Sequence, residues 1–216
     1  MMLAQVGIGL QFLMQKIKTK ISKASIYQFE NFFHLSSLYE SFSSSYSDKN
    51  QLKVVANILK KDSIKSIDIT HFNSPPSIIP SKYYDESIKA KYLETNSKKL
   101  TNIEEDISSD KKITVIYSKK EKLSQILKND EKKINHTNHF TKLYNYLIGQ
   151  LNDSDGLSFF ISLSDISFQV IIFYNNKFVF FNSFDISDEN EFLYYTLFVL
   201  KNYHGSINSD KITFLG

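Results

Sequence analysis

The sequence predicts an α/β protein of two lobes, each a mixed sheet with helices, on three observations. Ile161–Asp185, ISLSDISFQVIIFYNNKFVFFNSFD, reads as three strands joined by two tight turns. A helical stretch and then a strand follow it. Near the N-terminus a hairpin, helix and strand of similar pattern occur, so one plan is used twice. The expected lobes are residues 1–150 and 151–216.

Composition bounds the function classes. A chain of 216 residues is long enough to bury roughly 70% of its unfolded surface, and 42% hydrophobic with 14% aromatic residues marks a globular protein. The net charge of +3 is too even to call for nucleic acid or an anionic membrane as partner. All the basic residues counted are lysines, so no planar guanidinium fork is available for phosphate or carboxylate. Without cysteine there is no disulfide, thiolate nucleophile or thiolate metal site. The apolar start MMLAQVGIGLQFLMQ lacks a basic leader and is too short to span a bilayer, so a cytoplasmic protein is expected.

Taken in order, Val6–Tyr27 is expected to be a hairpin turning near Lys18 and Thr19, with Lys16, Lys18 and Lys20 on one solvent face. LSSLYESF and NQLKVVANILKK carry helical patterning, and Ile64–Thr70 alternates like a strand. NSPPSIIPS reads as an extended link, because its prolines remove backbone donors. Ser81 is placed as the cap of a helix over KYYDESIKAKYLETN, and SKKLTNIEEDISSDKK as a loop. Ile113–Tyr117 reads as a buried strand, KKEKLSQILKN as an amphipathic helix, and KKINHTN as a short strand. HFTKLYNYLIGQLND is a helix with Phe140, Leu143, Tyr146, Leu147 and Leu151 on one side. A last helix starts near Ser187 and stops at Gly205, with Lys201 and His204 in its final turn. It is apolar almost all round, which predicts burial on more than one side and a loss of about 2–5 kcal/mol for Leu197→Ala. KITFLG closes the chain as a strand with apolar residues on both faces apart from Thr213.

Three stretches carry a resemblance. SIIPSKYYDESIKAKYLETN, GLSFFISLSDISFQVIIFYNNKFVFFNSF and DENEFLYYTLFVL…ITFLG are similar to an uncharacterised bacterial family of unknown function, with Asn182, Ser183, Phe184, Phe192, Tyr194 and Tyr195 at matching positions. The resemblance implies an actin-like ATPase fold, related to ribonuclease H, sugar kinases and Hsp70, with a shortened second lobe. It implies no activity. In actin-like ATPases the first hairpin supplies an aspartate and a glycine-rich turn for phosphate. Here VGIGLQ has no acid beside it, and the first carboxylate of the chain is Glu30. Strand matching puts Ser162 at the second aspartate, and SDIS with Asp165 replaces the second glycine-rich turn.

No catalytic, cofactor-binding or metal residues are therefore expected. His136 and His139 have a spacing that can place two imidazoles near each other on a helix, but no third ligand for zinc is indicated locally, and two ordinary histidines at a helix start are expected. Glu104–Asp106 and Asp153–Asp155 lack the spacing of a calcium loop. The expected function is a non-catalytic binding or scaffold protein with a degenerate nucleotide site. The alternative is a nucleotide-binding ATPase or kinase relative with an atypical phosphate site. The partner is a protein, or a second copy held against the second lobe, through an aromatic surface of Phe184, Tyr194, Tyr195 and Tyr203.

Overall fold

A computed structural model of the protein describes residues 23–72, 75–94, 102–119, 122–127, 132–151, 156–164, 167–205 and 210–215. The chain divides into two compact units, one formed by Lys20–Gly149 and the other including Gln150–Gly216.

The first unit opens with an antiparallel meander, β1 (Lys23–Gln28), β2 (Phe32–Ser36) and β3 (Ser41–Ser45). Helix α1 (Lys49–Leu59) follows, and β4 (Ser66–His71) returns parallel to β1. Then come β5 (Ser77–Pro80), two 3₁₀ stretches at Ser81–Tyr83 and Glu86–Leu93, β6 (Ile103–Ile107) and β7 (Ile113–Ser118). A short α2 (Ser124–Leu127) leads to β8 (Lys133–Asn138), parallel to β4, and α3 (His139–Ile148) closes the unit. The main sheet runs β3-β2-β1-β4-β8, and a small sheet runs β5-β7-β6. Period-two alternation directs one face inward. Ala24, Ile26, Phe33, Leu35, Ile67 and Ile69 pack with Val55, Ile58 and Leu59 of α1.

The second unit repeats the plan. Its meander is β9 (Leu157–Leu163), β10 (Ser167–Tyr174) and β11 (Lys177–Asp185), followed by α4 (Glu189–Asn202) and β12 (Lys211–Leu215). The order is β11-β10-β9-β12, with β12 parallel to β9 as β4 is to β1. Asn175 and Asn176 both take positive φ, 48° and 59°, as a two-residue hairpin turn between twisted strands demands. Phe168, Val170 and Ile172 face α4, while Ile171 and Phe173 are buried on the opposite face.

Several expectations are corrected. The meander described in the first unit opens at β1, which pairs with β2 and β4, while GLQFLMQ, the other strand of the expected hairpin, lies outside the described residues. The Lys18–Thr19 turn and Lys16, Lys18 and Lys20 lie outside the described residues. LSSLYESF is no helix; it is the end of β2, a turn closed by Ser37 N–H donating to the Glu40 carbonyl at 2.9 Å, and the start of β3. Ser81 caps no long helix, and Asp85 caps the second 3₁₀ stretch instead. Residues 103–107 form β6 rather than loop, because its acids find partners: Glu104 with Lys119 at 2.7 Å and Glu105 with Lys89 at 3.0 Å. The helix expected over KKEKLSQILKN is described only as the four residues of α2. In α3 the buried tyrosine is Tyr144, beside the buried Phe140, Leu143 and Leu147, and Tyr146 is exposed.

The caps of α4 also differ. Asp188, not Ser187, accepts the Asn190 and Glu191 amides at 2.8 and 2.9 Å. At the other end His204 takes the left-handed conformation (φ 56°). Gly205 N–H then bonds the Leu200 carbonyl at 2.9 Å, a Schellman ending displaced by one residue. A Cβ at 205 would meet Leu200 Cδ1 at 2.4 Å and Leu157 Cδ2 at 2.8 Å, so any side chain there would have to displace the ends of these two leucines.

Candidate functional site

The first place to look is the turn that ends the first strand of each meander. β1 ends in Tyr27 and Gln28, β9 in Ser162 and Leu163; the last pairs of the two hairpins are Gln28 with Phe33 and Leu163 with Phe168. Ser162 is thus the counterpart of Tyr27, and neither strand ends in a carboxylate. Glu30 belongs to the first turn itself, Phe29-Glu30-Asn31, and not to a region beyond the first hairpin. Its carboxylate pairs with Lys122 at 3.4 Å. Phe29 stacks on Phe32 at 4.4 Å and on Phe72 at 4.3 Å, so rings fill the space that a glycine-rich turn leaves open. Phe29 N–H is spent on the Phe32 carbonyl at 3.0 Å. The second turn is closed by serine. Ser164 N–H and Oγ both donate to the Ser167 carbonyl, at 2.9 and 3.0 Å. Asp165 lies outside the described residues.

The carboxyl ends of β1, β4 and β8 form a second constellation, at the place where open α/β sheets bind ligands. The register sets Gln28, His71 and Asn138 in one row, all buried. His71 Nε2 lies 3.0 Å from His136 Nδ1, one nitrogen donating and the other accepting. His136 therefore partners His71 across β4 and β8, whereas His139 opens α3 and stacks on Phe72 at 3.9 Å. The two histidines do not share a helix, since His136 lies on β8 and His139 is the first residue of α3. Asp106 accepts the Asn138 amide at 2.7 Å and Thr141 Oγ1 at 2.8 Å. Burial raises its carboxyl above the ordinary range despite those bonds. Lys142 donates to Thr70 Oγ1 at 2.5 Å, and burial lowers its ammonium. Burial likewise pushes the His139 imidazole down to about 3, with Lys142 adding to it. Burial opposes charge on Asp68, but bonds from Asn135 (2.9 Å) and Lys23 hold its carboxyl below the usual value. These charges are matched within the protein, which is the pattern of a satisfied polar core. Gln28 Oε1 is the exception, with no partner among the described residues. Glu104, Glu105 and Asp106 alternate across β6 and do not converge. Among the described residues no group of three His, Asp or Glu side chains is placed to hold a metal ion. Asp153–Asp155 lie outside those residues.

The third place is α4. Of the four aromatics proposed from sequence, the structure joins three through ring contacts, Phe184 to Tyr195 and Tyr195 to Tyr194 (5.3 Å), but gives the four different exposure. Phe184 is packed between Phe168 (5.2 Å) and Tyr195 (4.9 Å), and Tyr203 lies against Phe180 (5.1 Å), all attached to the core of the second unit. Tyr194 alone is well exposed, at 62%. Beside it stand Leu193, Leu197 and Phe198, about half exposed, which sequence reasoning assigned to the interior or did not single out. Leu197 is 48% exposed, so the expected central packing of this residue is overturned. Only Thr196, Val199 and Leu200 are fully buried in the helix, with Phe192 and Tyr195 packed beside them. Phe214 of β12 is also exposed and lies 6.4 Å from Phe192.

A model of the family described as "Protein of unknown function (DUF3822)" matches residues 9–216. No curated protein matches the chain. Among solved structures, a Bacteroides thetaiotaomicron protein with actin-like ATPase fold and unknown function is similar at TM-score 0.70 and 16% identity, over 89% of this chain and 80% of that one. The PilM–PilN type IV pilus biogenesis complex (TM-score 0.49, 9% identity, 87% and 67% covered) is more distant. So is the cytoplasmic domain of EpsL, an inner-membrane component of the type II secretion system of Vibrio cholerae (0.46, 8%, 89% and 82%). The fold is α/β and actin-like. Among the described residues no helix is long and apolar enough to cross a membrane.

Proposed function

We propose that this chain, which belongs to the DUF3822 family of unknown function and has an actin-like ATPase fold, is a non-catalytic binding or scaffold protein of the cytoplasm. One observation carries the reading: the outward face of α4 is apolar where the fold does not need it to be. Helices α1 and α4 occupy the same place in the repeated plan, after a meander and before a parallel strand. Each is capped by an aspartate, Asp48 and Asp188. Five and nine residues after the cap, α1 carries Lys53 and Asn57, both exposed, and α4 carries Leu193 and Leu197. Contiguous exposed apolar surface on a soluble domain marks association. In support, the two turns at which this fold holds phosphate contain no glycine, are closed by their own side chains, and follow strands that end without a carboxylate.

The test is calorimetric titration of the intact protein with Mg-ATP. No heat of binding is expected up to sub-millimolar nucleotide. A micromolar dissociation constant would establish the rival reading, a nucleotide-binding relative with an atypical phosphate site.

A further inference from the structure

We infer that α4 pairs with the α4 of a second copy of this chain, in antiparallel orientation; this rests on the binding-protein reading and names the partner at that surface. Asn190, Tyr194, Leu197 and Lys201 are all exposed and follow one another at spacings of four, three and four residues. That spacing lays them in one line along the outermost edge of an α-helix, the seam through which two helices pack. Leu193 and Phe198 flank the line on its two sides. Tyr194 and Phe198 are already stacked, 6.1 Å apart and 18° from parallel, so part of the surface is ordered before any partner arrives.

The seam is self-complementary in one direction only. A two-fold axis crossing the helix between Tyr195 and Thr196 sets Tyr194 against Leu197 of the other copy, and Asn190 against its Lys201. An isologous contact requires this matching of a surface with itself. Lys201 then lies within the first turn of the opposing helix, which bears Glu189 and Glu191, and the two helix dipoles oppose each other. Parallel pairing would set Lys201 on Lys201 and the acidic turns on each other. The charge order along α4 thus selects the antiparallel arrangement.

The size of the surface sets its strength. Four large side chains about half exposed offer on the order of 400 Å² per copy, given about 150–250 Å² for a fully buried aromatic. The total falls in the class of weak, reversible interfaces, so a concentration-dependent dimer in the micromolar range is expected.

Sedimentation of the intact chain across a concentration series is the test, with circular dichroism to confirm that each variant is folded. The wild type should pass from monomer to dimer. Tyr194→Lys should abolish the dimer, and Lys201→Glu should weaken it about tenfold by placing an acid beside the acidic turn. The double variant Asn190→Lys/Lys201→Glu should recover the wild-type constant, because antiparallel pairing sets Lys against Glu at both ends. A wild type that stays monomeric throughout overturns the inference, as does a folded Lys201→Glu protein that dimerises as well as the wild type. A double variant weaker than Lys201→Glu alone overturns the antiparallel arrangement. None of these results bears on the Mg-ATP titration, so a monomeric protein that also ignores nucleotide refutes the second copy and leaves the binding-protein reading standing.

Discussion

Helices α1 and α4 are a controlled comparison inside one molecule. Both follow a three-stranded meander, both are capped by aspartate, and both bury a stripe against the sheet beneath: Val55, Ile58 and Leu59 in α1, Thr196, Val199 and Leu200 in α4. The inner faces are alike because packing against a sheet dictates them. The outer faces differ, and nothing in the packing asks for the difference. The comparison separates what the fold requires of a sequence from what something outside the unit requires of it.

The strongest test of that equivalence lies in the two cores. Phe33 and Phe168 are each the first residue of the second strand to be fully buried after the turn, and each is fully enclosed. Phe33 touches Tyr46 (5.5 Å), while Phe168 sits between Phe184 (5.2 Å) and Phe192 (4.9 Å). Truncating either to alanine should cost about 3–5 kcal/mol in a denaturant titration. If one substitution costs less than about 1 kcal/mol, the two meanders are not packed on the same principle and the comparison fails.

Protonation should set the units apart. The hydrophobic cluster of the second unit is aliphatic and aromatic, while the first half-buries His139, Asp106 and Lys142. His139 is depressed from 6.5 to about 3 on folding. Between those values the unfolded chain binds a proton that the folded one refuses, so stability falls as pH falls. The slope from this group is at most about 1.4 kcal/mol per pH unit. Burial lowers His34 also, which adds to the slope, whereas the raised Asp106 opposes it near its own titration. Asp68 contributes below pH 4, where its depressed carboxyl begins to protonate and its stabilisation is lost. Hydrogen exchange at pH 7 and pH 5 should show β4, β8 and α3 losing protection while β9–β11 keep theirs. His139→Phe, which preserves the stack on Phe72, should flatten the response. Equal losses in both units would show that the His139 imidazole does not govern acid sensitivity.

Much of the fold was legible in the sequence, and the failures have physical causes. β7 and the β9–β11 meander were readable because alternation, aromatic content and the Asn175–Asn176 turn all agreed. β2 and β3 were misread because Leu35, Leu38, Tyr39 and Phe42 fall at helical spacing. Only Leu35 of these is fully buried, and β3, Ser-Phe-Ser-Ser-Ser, has little intrinsic strand preference. The described repeat relates β1–β3 to β9–β11, and hairpin alternation does not single it out because any two hairpins alternate alike. A sharper signal was present: Ser47-Asp48-Lys49-Asn50-Gln51 and Ser187-Asp188-Glu189-Asn190-Glu191 share the capping pattern Ser-Asp-x-Asn followed by Gln or Glu at the start of the two equivalent helices. The polar constellation was not legible, because it joins Thr70 and His71 to His136, Asp106 and Lys142 through parallel pairing of distant strands. The exposed face of α4 was hidden by its own composition. A helix buried on two sides and a helix with an apolar face in solvent have the same residues.

The smallest expected effect addresses that ambiguity directly. Leu197→Asn writes into α4 the residue that α1 carries nine positions after its cap, Asn57. If α4 were buried on two sides, the change would place an amide in a core and cost several kcal/mol. Leu197 is instead about half exposed. The loss should stay below about 1 kcal/mol, composed of the lower helix propensity of asparagine and a partial loss of apolar contact. Measured at concentrations where the wild type is monomeric, the unfolding midpoint of the variant should nearly coincide with that of the parent, while its self-association is weakened. That pairing of outcomes, an intact unit and a lost contact between copies, is what an outer face kept apolar for a partner predicts. A loss of 2 kcal/mol or more in the monomer would assign Leu197 to the core after all and remove the difference between α1 and α4 on which the functional reading stands.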